Sequence, residues 1–289
     1  MAGGPAAWRH TAGFDRASNK MKKLFVFTLF FFLFSNCIIR NKYGVEFLKR
    51  QITVGENTYG YRVYLPANRQ PGQKLPVMLY LHGSSSCGDD NEAQIALFDK
   101  FIGENPGNFS FIVVFPQARA GTFWNTRMIE QAIAALDQTV KEFNGDEKRL
   151  YLAGWSMGGL GAWHAAVLYP GKFAALVPVA SRIMPSPRER EAISDDLICL
   201  VDSPKPFEAF AEKLKDVPTW IFHGEKDEVL TVAASRRMNR ALIEAGNSDV
   251  HYTEYEGMGH YSIESALTEP KLFEWLAKQQ LKETHTNAP

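Results

Sequence analysis

Cysteine is scarce in this chain. Cys37, Cys87 and Cys199 are the three present in 289 residues, and neither they nor the seven histidines are spaced as metal ligands. No metal site and no cofactor is therefore expected. Net charge is missing too. Lysine plus arginine and aspartate plus glutamate number 32 each, and no basic stripe or acidic tail marks nucleic acid or a charged polymer as a partner. Internal repeats and low-complexity tracts are absent, which excludes a repeat array. The apolar run at residues 24–34 falls far short of the ~20 residues a membrane-crossing helix needs. What is left fits one large domain, since α/β folds reach this length around a single sheet.

The N-terminus stands apart. Met21-Lys22-Lys23 precedes that apolar run, and Ser35-Asn36-Cys37 follows it. A basic start, a short apolar core and small residues beyond it make a secretory signal over residues 21–37. Residues 1–20 then read as an upstream extension, because export signals begin near the initiator methionine. Cys37 resembles the lipidated cysteine of bacterial lipoproteins, and a lipid there would attach the chain to a membrane. Phe34-Ser35-Asn36 lacks the usual small residue before the cysteine, so plain secretion stays open. Cys87 and Cys199 could pair in an oxidising compartment.

Beyond the signal, a domain over residues 44–281 alternates strand and helix. Two strands, Phe47–Val54 and 58–65, precede a continuous apolar run at 77–81, as expected of a strand buried on both faces. A helix follows from about Asn91, then a strand at 111–115. Ile129, Ile133, Leu136, Val140 and Phe143 recur at helical spacing over Thr126–Phe143, and Asn144-Gly145 ends that helix. Strands at 150–153, 174–179, 218–222 and Val250–Tyr255 alternate with helices over Met157–Leu168, 232–245 and 264–280. This is the rhythm of βαβ units around a mostly parallel sheet covered on both faces. Residues 183–211 interrupt it with Pro185, Pro187, Pro204, Pro206 and alternating charges. They are expected to form an insertion over one end of the sheet, either shaping a pocket or looping into solvent.

The chemistry concentrates in Gly154-Trp155-Ser156-Met157-Gly158, between a strand and a helix. A serine hydroxyl is a weak nucleophile that must be exposed beside a base, and a sharp glycine-flanked turn presents it. The partners should follow in the order acid, then histidine. Asp227 lies just past one strand and His260 just past the last, at the sheet edge that carries Ser156. Glu225 and Glu228 compete for the acid position, Glu228 more closely. The amide of Met157 is one candidate oxyanion donor. The second is Ser84, with Ser85 as alternative, in the loop after Leu81-His82-Gly83. His223 is read as fixing the acid loop, and His164 as a packed or surface side chain.

Together these segments resemble a family of secreted α/β-hydrolase esterases related to polyhydroxybutyrate depolymerases and feruloyl esterases. The motifs that carry the likeness run from Leu81-His82-Gly83 with Gly88-Asp89-Asp90-Asn91-Glu92, through Phe115-Pro116-Gln117 and Trp124, to the three catalytic segments. The resemblance implies an α/β-hydrolase fold and hydrolysis of carboxylic esters, on small molecules or on plant polysaccharides. It makes Trp124 and Trp155 candidate walls of the substrate pocket. Two alternatives remain: a peptidase using the same triad, and a non-catalytic binding protein on the same fold.

Overall fold

Val77, Leu79 and Leu81 pack into one buried apolar cluster while Met78 and Tyr80, alternating with them, pack into a second. A strand alternates its side chains between faces, so this segment has core on both sides. In the computed structural model, residues 45–282 are described, apart from 106 and 108. The expectations for residues 1–20, for the signal at 21–37 and for Cys37 lie outside the described residues.

The strands are β1 (Phe47–Val54), β2 (Asn57–Tyr64), β3 (Leu75–Leu81), β4 (Ile112–Pro116), β5 (Gly145–Trp155), β6 (Ala175–Val179), β7 (Thr219–Gly224) and β8 (Val250–Tyr255). They form one sheet in the order β1-β2-β4-β3-β5-β6-β7-β8. β2 runs antiparallel to β1 and β4, and the remaining pairings are parallel. The helices are α1 (Ala96–Glu104), α2 (Thr126–Phe143), α3 (Met157–Leu168), α4 (Pro187–Arg190), α5 (Asp195–Val201), α6 (Pro206–Leu214), α7 (Ala233–Glu244), α8 (Ile263–Leu267) and α9 (Pro270–Leu276). Residues of α2, α3, α5, α6 and α7 share the first cluster, and those of α1, α8 and α9 share the second. This is the expected α/β class.

Three expectations are corrected. Residues 183–211 are not a solvated excursion, because Ile183, Ile193, Leu197, Val201, Phe207 and Phe210 are buried in the first cluster. The final helix is not continuous. Pro270 cannot donate to a preceding turn, and it opens α9 as a separate helix behind the Glu269 cap. Cys87 and Cys199 are both free.

Because β3 to β8 run parallel, their carboxyl ends share one edge of the sheet. The loops after β3, β4, β5, β7 and β8 therefore meet there.

Candidate active site

The turn from β5 into α3 can exist only with glycine around it. A Cβ on Gly154 would lie 2.1 Å from the carbonyl oxygen of Gly158, and one on Gly158 would lie 1.8 Å from that of Leu81. These contacts press α3 against both its own strand and the end of β3. Ser156 sits at the apex with φ 57° and ψ −119°. Such a backbone costs a non-glycine residue roughly 1–3 kcal/mol. It is held by the Ser156 N–H donating to the Val179 carbonyl at 3.0 Å, and by the Gly159 and Leu160 amides donating to its own carbonyl.

The structure brings Ser156, Asp227 and His260 together. His260 Nδ1 is 2.8 Å from Asp227 Oδ2, and His260 Nε2 is 2.8 Å from Ser156 Oγ. An ionised carboxylate can only accept, so Nδ1 carries the proton and Nε2 offers its lone pair to the serine hydroxyl. Asp227 Oδ1 accepts from the Val229 and Leu230 amides, each at 2.8 Å. Burial pushes the Asp227 carboxyl up. The bond from His260 and those two amides outweigh it and hold the group below the usual carboxylate range. Glu228 is exposed and makes no such contact. Glu225 is exposed as well, and it accepts from the Gly257 amide at 2.8 Å, tying the acid loop to the loop that bears His260.

Opposite the serine lies the loop after β3. A Cβ on Gly83 would touch the Trp155 ring at 2.9 Å, so loop and turn are in direct contact. His82 is buried and braces this loop. Its Nε2 accepts from the Ala118 amide at 3.0 Å, which leaves Nδ1 protonated and donating to the Gly83 carbonyl at 2.7 Å. Burial lowers its pKa to about 4. In a trans peptide the N–H opposes the C=O, so fixing the Gly83 carbonyl turns the Ser84 N–H away from His82. Among the described residues, no acceptor bonds the amides of Ser84 and Met157, which open a 3₁₀ turn and α3. The Gln117 amide joins Ser86, Asp90 and Asn91 behind the loop. The roles of His82 and Gln117 were missed from sequence, although both stand in the segments that carry the family likeness.

The two tryptophans fare differently. Trp124 is 1% exposed and its indole N–H donates to the His82 carbonyl at 2.9 Å. It supports the loop from beneath, and the expected pocket wall is corrected on that ground. Trp155 is buried too, though less completely, at 8% exposure; its N–H donates to the His260 carbonyl at 3.1 Å, and its ring lies against His260 and Tyr261. Beside it, Tyr261 is 71% exposed and Val229, next to the acid loop, 67%. A separate cleft of about 540 Å³, lined by residues including Tyr59, Arg119 and Asn125, contains none of the three central residues.

A mostly parallel sheet with a strained serine turn after β5, and with an acid after β7 and a histidine after β8, defines an α/β-hydrolase. Within that class, the sequence matches the Esterase family, described as "Putative esterase", over residues 53–269. The chain belongs to that family. It is 30% identical over 186 residues to a bifunctional acetylxylan esterase/xylanase of Neocallimastix patriciarum, covering 63% of this chain and 23% of that protein. It is 27% identical over 218 residues to an uncharacterized secreted protein of Arthroderma benhamiae, covering 68% of this chain and 22% of that one. The chain thus spans under a quarter of the length of either relative. The crystal structure of a thermostable esterase superposes with a TM-score of 0.65 at 27% identity, over 81% of this chain and 63% of that one. The S-formylglutathione hydrolase of Agrobacterium tumefaciens shares the fold, with a TM-score of 0.58 at 17% identity over 84% and 98% of the two chains.

Proposed function

We propose that this chain is a serine esterase that cleaves carboxylic esters through an acyl-enzyme on Ser156. The observation that carries the reading is the unbroken chain of 2.8 Å contacts from Asp227 through His260 to Ser156 Oγ. His260 Nε2 takes the hydroxyl proton as Oγ attacks the ester carbonyl. Asp227 holds the imidazole in the required tautomer and stabilises the imidazolium that forms. The amides of Met157 and Ser84 receive the developing oxyanion, aided by the positive end of α3. The imidazolium then returns its proton to the departing alcohol, and water repeats the sequence to release the acid. No step calls for a cofactor.

The substrate is a small-molecule ester or an ester on a polysaccharide, the second class supported by the acetylxylan esterase relative. The exposed faces of Tyr261, backed by Trp155, and of Val229 form the wall against which it rests. Residues 21–37 act as an export signal, a reading supported by the secreted relative, and Cys37 is either lipidated or the point near which the mature chain begins. Mass spectrometry of the N-terminus after expression from Met21 decides between these, and an uncleaved cytoplasmic chain refutes both.

The central test is Ser156→Ala with p-nitrophenyl acetate and acetylated xylan as substrates. Turnover should fall by on the order of 10⁶, with the fold intact by circular dichroism. A variant that keeps even a tenth of the wild-type turnover removes Ser156 from the mechanism. Parallel assays on amide substrates separate an esterase from a peptidase.

A further inference from the structure

Asp227 is not served by His260 alone. His223 Nε2 lies 3.1 Å from the same Oδ2 atom, and both side chains have no solvent exposure. His223 is the last residue but one of β7, four residues before the acid. Its Nε2 also lies 2.9 Å from the Leu230 carbonyl, and its Nδ1 lies 2.7 Å from the Ser235 hydroxyl on α7. The two neighbours of Nε2 can only accept, so Nε2 bears the proton. Nδ1 then accepts a hydrogen bond from the Ser235 hydroxyl. The tautomer is fixed from both ends.

We propose that His223 is a positioning residue of this site, a neutral imidazole whose Nε2–H fixes Asp227 Oδ2 and moderates the acid's hold on His260. The inference rests on the serine-esterase reading above. Asp227 has three hydrogen-bond donors, two amides on Oδ1 and His260 on Oδ2, and the His223 Nε2–H, bonded to the Leu230 carbonyl, lies beside Oδ2 at 3.1 Å as a fourth, electrostatic neighbour. A carboxylate held at both oxygens and flanked by a fourth N–H is hindered from rotating, and it is a weaker base than one without that neighbour. His223 must stay neutral to do this, because a cation there would cancel the charge that stabilises the His260 imidazolium. The titratable and charged groups around it are Asp227 and His260 on the loops, Glu254 opposite it on β8, and Arg236 on α7. Arg236 pairs with Glu254 and offsets its pull. Burial outweighs the attraction of Asp227 and keeps His223 below its ordinary pKa.

The test compares His223→Leu with His223→Gln, whose side-chain amide can replace the Nε2–H donor. Both are assayed on p-nitrophenyl acetate across pH 5–9. The leucine variant should lose roughly tenfold to a hundredfold in kcat with a much smaller change in KM. Its acidic limb of kcat/KM should move to higher pH, because an Asp227 without that neighbour holds the His260 proton more tightly. The glutamine variant should recover most of the rate and restore the limb. A leucine variant with wild-type kcat, or one with reduced kcat, an unmoved limb and no rescue by glutamine, overturns the proposal. Should the leucine variant fail to fold, nitrogen-15 NMR of the wild-type imidazoles decides instead. A neutral Nε2–H tautomer for His223 at pH 7 supports the role, and a cation or an Nδ1–H tautomer overturns it. If wild type neither hydrolyses esters nor labels at Ser156 with a fluorophosphonate, the esterase reading fails, whatever tautomer His223 adopts.

Discussion

A carboxylate orients a histidine only if its own position is fixed, and at the residue scale this separates Asp227 from its neighbour. Asp227 lies in the bend after β7 with all its oxygen contacts inside the protein, whereas Glu228 turns to solvent. Asp227→Asn keeps the shape but presents an amide that can donate to Nδ1, favouring the wrong imidazole tautomer. A loss of about 10⁴ in kcat is expected, as for the equivalent change in other triads. Glu228→Gln should stay within about twofold of wild type. Steady-state kinetics on both variants checks this, and a severe loss for Glu228→Gln would reverse the assignment. Ser156, Asp227 and His260 were legible in the sequence because motif and chain order fix them locally. The second imidazole on Asp227, the clamp by His82 and the burial of Trp124 were not. Each depends on which side chain from another strand end arrives at the same point.

Between elements, the informative segment is α4 to α6. In the sequence its prolines read as breakers, yet Pro187 and Pro206 each stand in the first turn of a helix, where the missing N–H costs nothing. Ser186 and Glu189 close a capping box at the start of α4, and Arg182 binds Glu189 at 2.6 Å. The alternating charges are thus partly cap and ion pair, and the apolar residues between them form a buried stripe. Such short helices carry too few turns for periodicity to show. By contrast α2, long and strongly patterned, was legible with its bounds, and α3, apolar all round, was legible from the serine motif that opens it. Phe210 is fully buried on α6, its ring 5.9 Å from that of His164 on α3. Phe210→Ala should cost about 3–5 kcal/mol, the transfer and cavity terms together. Urea unfolding measures it; a loss below 1 kcal/mol would mean that these helices ride loosely on the sheet.

For the whole molecule, the buried histidines set how stability depends on pH. His82 and His164 are nearly or wholly inaccessible, and burial lowers each to a pKa of about 4. His164 donates to the Ile183 carbonyl at 3.0 Å, and its Nδ1 has no hydrogen-bond partner among the described residues. An unfolded histidine titrates near ~6.5. Between pH 6.5 and 4 the unfolded chain therefore binds protons that the folded chain refuses. Stability is full above pH 6.5 and falls as the pH drops toward 4, by on the order of 2 kcal/mol per histidine at pH 5. Carboxylates held low by their partners, such as Glu254 at about 2 and Glu189, act in a different window. Their stabilisation is present above the ordinary carboxylate pKa and is lost only below it, so the two contributions separate along the pH axis. Urea midpoints should accordingly drop markedly from pH 7.5 to 5. His164→Gln, which keeps a donor toward Ile183 and cannot titrate, should remove about one histidine's share of that drop. A midpoint constant from pH 7.5 to 4.5, or a His164→Gln slope equal to wild type, would show that these imidazoles take up protons without unfolding.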